Sequence, residues 1–209
     1  MALDRALVIG ILLFNNMTSL DFAGPGTYLE YLGVIGQKVE IHTIGEKVGP
    51  LQPSNLTPMY ASVSMDNAPR AWDILIVPGG LGATPFVQNQ ELVDYVRGAA
   101  ENATDVLTVC TGGRIMGATG LLDGKNATTN KMEFSKIASE YPAVNWIEHA
   151  RWVVEGKYWT SSGVSAGLDL GHAYVAAKFG EEAATKIQRT LEYVANKDPS
   201  NDPFAPQLL

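Results

Sequence analysis

The chain predicts an α/β fold, a mainly parallel sheet with helices on both faces. Three observations carry that prediction. Short runs rich in Val, Ile and Leu recur at 6–14, 73–77 and 105–109, as expected of strands buried on both faces. Segments of helical apolar spacing stand between and after them, and such alternation builds parallel sheets. Each run also ends at a turn or junction: Asn15-Asn16, Pro78-Gly79-Gly80 and Cys110-Thr111-Gly112-Gly113. In open sheets of this type, ligands bind beyond the carboxyl ends of the strands.

Taken in order, 6–14 reads as a central strand. Residues 20–32 have helical spacing, interrupted at Gly24-Pro25-Gly26. Residues 38–44 alternate as a strand, and 50–65 read as short strands or loop. After the strand at 73–77, a helix is predicted over about 91–101, then the strand at 105–109 and a helical stretch at 114–118. The Gly120-Leu121-Leu122-Asp123-Gly124 turn leads to a short strand at Ala127-Thr128 and a helix starting near Lys131. Residues 149–154 and 157–161, joined at Glu155-Gly156, form a predicted hairpin. Residues 164–179 and 181–194 are the best-defined helices, with Gly180 as the cap between them. The expectation is one domain over 1–195, without linker or internal repeat. The tail, 196–209, carries Pro199, Pro203 and Pro206 and is predicted to be irregular.

Hydrophobic residues make up 46% and charged residues 18%, so the chain is globular rather than disordered. A formal net charge of −7, with no Lys/Arg cluster to offset it, argues against a nucleic-acid partner. The single cysteine rules out an internal disulfide, and nothing asks for an oxidising compartment. Arg5 and the apolar run after it resemble a short leader. Asp4 precedes them, no small-residue cleavage site follows, and the run is too short to span a membrane. The four acceptor-like triplets at Asn16, Asn55, Asn102 and Asn126 are then chance matches. A cytoplasmic protein with no membrane partner is expected.

Cys110 sits where a buried strand turns into a helix, the thiol counterpart of a serine nucleophile elbow. Over the positive end of a helix, thiolate is favoured over thiol, and thiolate is the attacking form. The competing reading is a small buried hydrophobe. Gly79 and Gly80 let backbone amides approach a ligand, and the Gly80 and Thr111 amides are candidate donors to developing negative charge. The competing reading there is a plain glycine turn. A dinucleotide-binding loop fails because Pro85 stands at the third glycine position. Asp21 is either a helix cap or a carboxyl group leaning over Cys110, whose raised pKa would fit it for acid–base work. Glu30, farther along the helix, is a weaker candidate. His42, His149 and His172 have no metal-ligand spacing. His172 reads as a core histidine, and His149 as a remote candidate partner for Cys110. No metal site is predicted.

Together Leu20-Asp21-Phe22-Ala23-Gly24-Pro25, Ile76-Val77-Pro78-Gly79-Gly80 and Val109-Cys110-Thr111-Gly112 resemble the ThiJ/PfpI superfamily. The stretches from Gly120 to Thr129 and from Ser161 to Asp169 extend the likeness, which runs to about Val194. Within the superfamily the chain is most similar to the isocyanide hydratase branch, with Asp21 where many relatives have glutamate and Thr111 after the nucleophile. The resemblance implies a flavodoxin-like three-layer sandwich, a homodimer, a small-molecule substrate and no cofactor. It further implies Cys110, Asp21 and Thr111 as catalytic residues, with Gly79, Gly80 and Thr111 lining the substrate site. Phe22 and Ile115 are candidates for an apolar pocket. One departure is Asn130, where many relatives have histidine, so a Cys–His pair through that position is absent.

The reaction expected is hydration of an organic isocyanide to an N-substituted formamide through a covalent thioimidate. The enzymatic rival is a glyoxalase or deglycase acting on 2-oxoaldehydes. The non-enzymatic rival is a cysteine redox sensor. A transcription regulator is disfavoured, because the residues after Val194 are too few for a helix-turn-helix.

Overall fold

The computed structural model describes residues 4–53 and 58–205. Strand β1 (Leu7–Leu12) leads to helix α1 (Ser19–Glu30) and a 3-10 turn at Tyr31–Ile35. Strand β2 (Val39–Gly45) is followed by the short strands β3 (Gly49–Leu51), β4 (Met59–Ala61) and β5 (Val63–Ser64). Next come β6 (Trp72–Val77), α2 (Ala83–Val87), α3 (Gln90–Asn102), β7 (Ala103–Val109) and α4 (Gly112–Ala118). The rest is β8 (Asn126–Ala127), α5 (Phe134–Glu140), β9 (Asn145–Trp146), β10 (Trp152–Glu155), β11 (Tyr158–Ser161), α6 (Ala166–Phe179) and α7 (Glu181–Thr190).

Seven strands form the main sheet in the order β10-β11-β7-β6-β1-β2-β5. Every pairing in it is parallel except the β10–β11 hairpin. Helices α1, α6 and α7 pack together on one side, and α2, α3 and α4 on the other. This is the flavodoxin-like α/β sandwich. The central strands supply the fully buried Ile9, Ile74, Ile76, Val106 and Leu107, which explains why their sequences read as continuous apolar runs.

Four local departures have physical causes. Helix α1 runs through Pro25 without a break. The small side of that turn is a contact face, since Cβ atoms added at Gly167 and Gly171 would lie 3.2 and 3.0 Å from Pro25. Helix α5 starts at Phe134 rather than near Lys131, because the Lys131 ammonium turns inward to Thr128 Oγ1 and the Ala150 carbonyl at 2.7 and 2.9 Å. Helix α6 starts at Ala166 rather than 164, since Val164 has φ 25°. Helix α7 ends at Thr190, and Glu192 has φ 51°, outside the helical region. Within the 50–65 segment, residues 54–57, including Asn55, lie outside the described residues, as do 206–209 of the tail.

Candidate active site

Strands β1, β6 and β7 are neighbours, so the loops after them meet at one edge of the sheet. Met17 forms a bridge with Gly80, the Thr18 amide donates to the Gly79 carbonyl at 2.9 Å, and the Gly80 amide donates to Thr111 Oγ1 at 2.8 Å. The contacts are close enough to require glycine. A Cβ on Gly79 would lie 2.5 Å from the Thr111 amide nitrogen, and one on Gly80 would lie 2.5 Å from that of Thr18. The convergence of strand ends predicted from the apolar runs is therefore present.

Cys110 follows β7 with φ 59°, a backbone region that non-glycine residues seldom enter and that clusters at functional sites. Its amide donates to the Ser162 carbonyl at 3.0 Å. Its carbonyl accepts from Thr129 Oγ1 at 2.8 Å and from the Gly113 amide at 3.2 Å. The sulfur is left at the junction, 4% exposed.

Four groups act on that sulfur. Asn130 Nδ2 donates to it at 3.3 Å, oriented by the Glu133 amide, which donates to Asn130 Oδ1 at 3.2 Å. The backbone amides of Val164 and Thr111 also favour the thiolate, and the Asp21 carboxylate opposes it. Asp21 is fully buried. Its Oδ2 accepts from the Gly79 amide at 3.0 Å, and its other oxygen makes no hydrogen bond of good geometry. Asp21 is not the helix cap: Thr18 holds the N-cap position, without a side-chain cap bond, and the Asp21 carboxylate instead accepts from Gly79 and acts on Cys110. The separation of 89 positions in sequence is closed up by the β1–β6–β7 arrangement.

Protonation follows burial. Loss of water pushes Asp21 up to about 7, against the Gly79 amide and the Cys110 thiol, which both favour its carboxylate. Burial first, and then the Asp21 charge, push Cys110 up to about 12. The thiolate expected from the helix field is thus not the resting form. Helix α4 has only seven residues, too short a dipole to offset a dry site beside an anion. At neutral pH the pair rests as thiol beside a carboxyl group close to its titration midpoint.

The other predicted residues separate clearly. Thr111 is at the site through its amide, while its hydroxyl latches the Gly80 loop, donating to the Gly80 carbonyl at 3.1 Å. The Gly80 amide, expected with that of Thr111 as a donor to developing charge, donates to Thr111 Oγ1, and the amide of Gly79, expected to line the substrate site, donates to Asp21. Phe22 and Ile115 are core residues. An apolar cavity of about 230 Å³ is lined by Leu13, Phe14, Leu51, Met65, Phe86 and Leu92 among others, and neither Cys110 nor Asp21 lines it. Glu30 ends α1 and is exposed. His149 is exposed and is not among the groups acting on Cys110. His172 is buried edge-on to Tyr28, 5.8 Å between ring centres, and His42 accompanies Glu40 at 2.8 Å. Among the described residues, no three His, Cys, Asp or Glu side chains gather as a metal site, and no helix is long and apolar enough to cross a membrane. Asn130 and Val164 were not foreseen as partners of the sulfur. The Gly163 beside Val164 was a usable signal, since a Cβ there would lie 2.9 Å from Asn130 Nδ2.

Comparison with known proteins agrees with the motifs. The DJ-1/PfpI family model matches residues 8–177, so the chain belongs to the DJ-1/PfpI family, as the ThiJ/PfpI resemblance implied. It is 31% identical to the isonitrile hydratase of Pseudomonas putida over 188 residues, 90% of this chain and 79% of that protein. It is 26% identical to the HTH-type transcriptional regulator GbdR of Pseudomonas aeruginosa over 88% of this chain but only 50% of the regulator. Among solved structures, a THiJ/PfpI family protein from Pseudomonas syringae superposes with a TM-score of 0.82 at 26% identity, over 92% of this chain and 77% of that one.

Proposed function

We propose that this DJ-1/PfpI family member hydrates organic isocyanides to N-substituted formamides, with Cys110 as nucleophile and Asp21 as general base and acid. The observation that carries the reading is the buried Asp21–Cys110 pair at a left-handed elbow. The 31% identity to an isonitrile hydratase, isonitrile being a synonym of isocyanide, supplies the substrate class.

The protonation of the pair suits the chemistry. Isocyanide carbon must gain both a sulfur and a hydrogen. As the Cys110 sulfur bonds to that carbon, its proton passes to the Asp21 carboxylate, which then delivers it to the same carbon. The product is a thioimidate, Cys–S–CH=N–R. Water adds to the thioimidate carbon as Asp21 takes a proton from it, and Asp21 passes that proton to the nitrogen. Collapse of the tetrahedral adduct forms the formamide carbonyl, and sulfur leaves to regain its proton. Water is the only species consumed besides the isocyanide, and no step calls for a cofactor. Asn130 and the Val164 and Thr111 amides hold the negative charge that develops on sulfur.

A 2-oxoaldehyde reaction would have to move a proton between carbons, and Asn130 offers no titrating group for that step. Oxidation sensing needs an exposed, readily ionised thiol, whereas Cys110 is buried with its pKa pushed up. A homodimeric cytoplasmic enzyme is the working form we propose, and size-exclusion chromatography with light scattering checks the dimer. Turnover of para-nitrophenyl isocyanide, followed beside methylglyoxal, tests the reaction. Formation of the N-aryl formamide by wild type and its loss in a folded Cys110→Ala variant is the expected result. Equal hydration by Cys110→Ala, or turnover of methylglyoxal alone, would overturn it.

A further inference from the structure

The tail after α7 was expected only to be irregular, yet Asp202 and Ala205 within it are 6% and 1% exposed. The Asp202 side chain enters a buried charge cluster with Lys131, Arg151 and Asp169. Its Oδ2 lies 3.7 Å from Lys131 Nζ and its Oδ1 lies 3.8 Å from an Arg151 guanidinium nitrogen. The Arg151 amide donates to the Pro199 carbonyl at 2.7 Å, and the Asn196 amide donates to Asp169 Oδ1 at 2.8 Å, so backbone bonds hold the tail in place.

Both cations that Asp202 faces lead to the sulfur. Lys131 is chain neighbour to Asn130, the side-chain donor to Sγ, and its ammonium donates to Thr128 Oγ1 and the Ala150 carbonyl. The same four-residue segment grips the Cys110 carbonyl through Thr129. On the other path, Arg151 donates to Ser165 Oγ at 3.1 Å and to Asp169 Oδ2 at 2.9 Å. Its carbonyl accepts from the Ser162 amide at 2.9 Å, while the Ser162 carbonyl accepts from the Cys110 amide. Ser165 adjoins Val164, whose amide faces Sγ. Two separate loops bring donors to one atom, and both are tied back to one tail carboxylate.

We propose that Asp202 is a positioning residue that, through Lys131 and Arg151, sets Asn130 and the Val164 amide against the Cys110 sulfur. The inference rests on Cys110 being the reacting group. Without Asp202, Arg151 keeps Asp169 as partner, while buried Lys131 keeps only the pull of Glu148 and the repulsion of Arg151. Lys131, already lowered to about 8 by burial against the pull of Asp202, then loses its charge or turns outward. Either response releases the 128–131 segment.

The test reads the sulfur itself. The chain has one cysteine, so the S–H stretching band in its Raman spectrum belongs to Cys110 and reports the hydrogen bonds around it. Asn130→Ala, which removes one donor, calibrates the sense of the shift. Asp202→Asn, with folding checked by circular dichroism, is expected to move the band in that sense, and Ser165→Ala to move it the same way by less. A band unmoved or shifted oppositely in both folded variants overturns the proposal, because a tail that merely adds stability lowers the unfolding midpoint without touching this band. If Asp202→Asn does not fold, Ser165→Ala decides alone. Wild-type isocyanide turnover is measured separately, so failure of the hydratase reading is not confused with failure of this one.

Discussion

Replacing Asp21 by asparagine is expected to make the protein more stable and inactive at once. Burial raises its carboxyl from the usual 3.8 to about 7 in the folded protein. Between those values the native state holds a proton that the unfolded chain releases. Stability therefore falls as pH rises through the window, and the whole cost is present above pH 7. At about 1.4 kcal/mol per pH unit, the cost reaches about 4 kcal/mol at pH 8. Asp21 is 0% exposed, so solvent does not screen this cost. Asparagine keeps an acceptor for the Gly79 amide but brings an NH2 group into a dry site, at a cost of about 1–2 kcal/mol. The net gain at pH 8 is then about 2–3 kcal/mol. Near pH 4 both proteins carry a neutral side chain there, and the gain disappears. Urea unfolding followed by tryptophan fluorescence at several pH values measures the difference between variant and wild type, in which all other titrating groups cancel. A difference that stays constant from about pH 4 to about pH 8 refutes the reasoning.

Three further outcomes follow from the same geometry. Turnover should fall about tenfold per pH unit below about 7 as the Asp21 carboxylate is protonated, and a flat kcat/KM profile over that range would contradict Asp21 as the base. Gly79→Ala drives a Cβ against backbone nitrogens of Thr111 and Gly112 at 2.5 and 2.6 Å. It should cost about 3 kcal/mol or more of stability by chemical denaturation. Gly163→Ala meets only the end of the Asn130 side chain at 2.9 Å, so it should leave the unfolding midpoint nearly unchanged. By displacing that donor it should lower kcat about tenfold with little effect on KM.

The sheet was legible because its central strands are buried on both faces, and burial writes itself as unbroken apolar runs. The helices packed against it were legible where they are long and amphipathic, as in α3 and α7. What escaped was set by single contacts. Pro25 reads as a helix breaker until the close approach of Gly167 and Gly171 shows why a compact, ring-locked residue suits that face. The 131–133 turn reads as helix until the Lys131 ammonium is seen to face inward. The strand β9, of two residues, carries too few positions to show any period.

That Cys110, Asp21, Gly79, Gly80 and Thr111 lie together was legible because each follows a strand or opens a helix at one sheet edge, where side chains and amides are free to meet. Their roles were harder to read than their positions. Sequence shows which groups lie at a sheet edge but not which hydrogen bond each makes, so the Gly80 amide assigned to substrate charge donates instead to Thr111 Oγ1. It also cannot weigh a helix dipole against desolvation, because the first depends on helix length and the second on how many atoms close over the sulfur. Here seven helical residues stand against a fully buried carboxylate, and desolvation wins by enough to keep the proton on Cys110. That outcome recasts the chemistry. A permanently ionised sulfur would need a separate proton source for the isocyanide carbon. In the proposed hydration, a thiol beside a carboxylate near its midpoint carries nucleophile and proton together, and Asp21 need only pass the proton from one to the other.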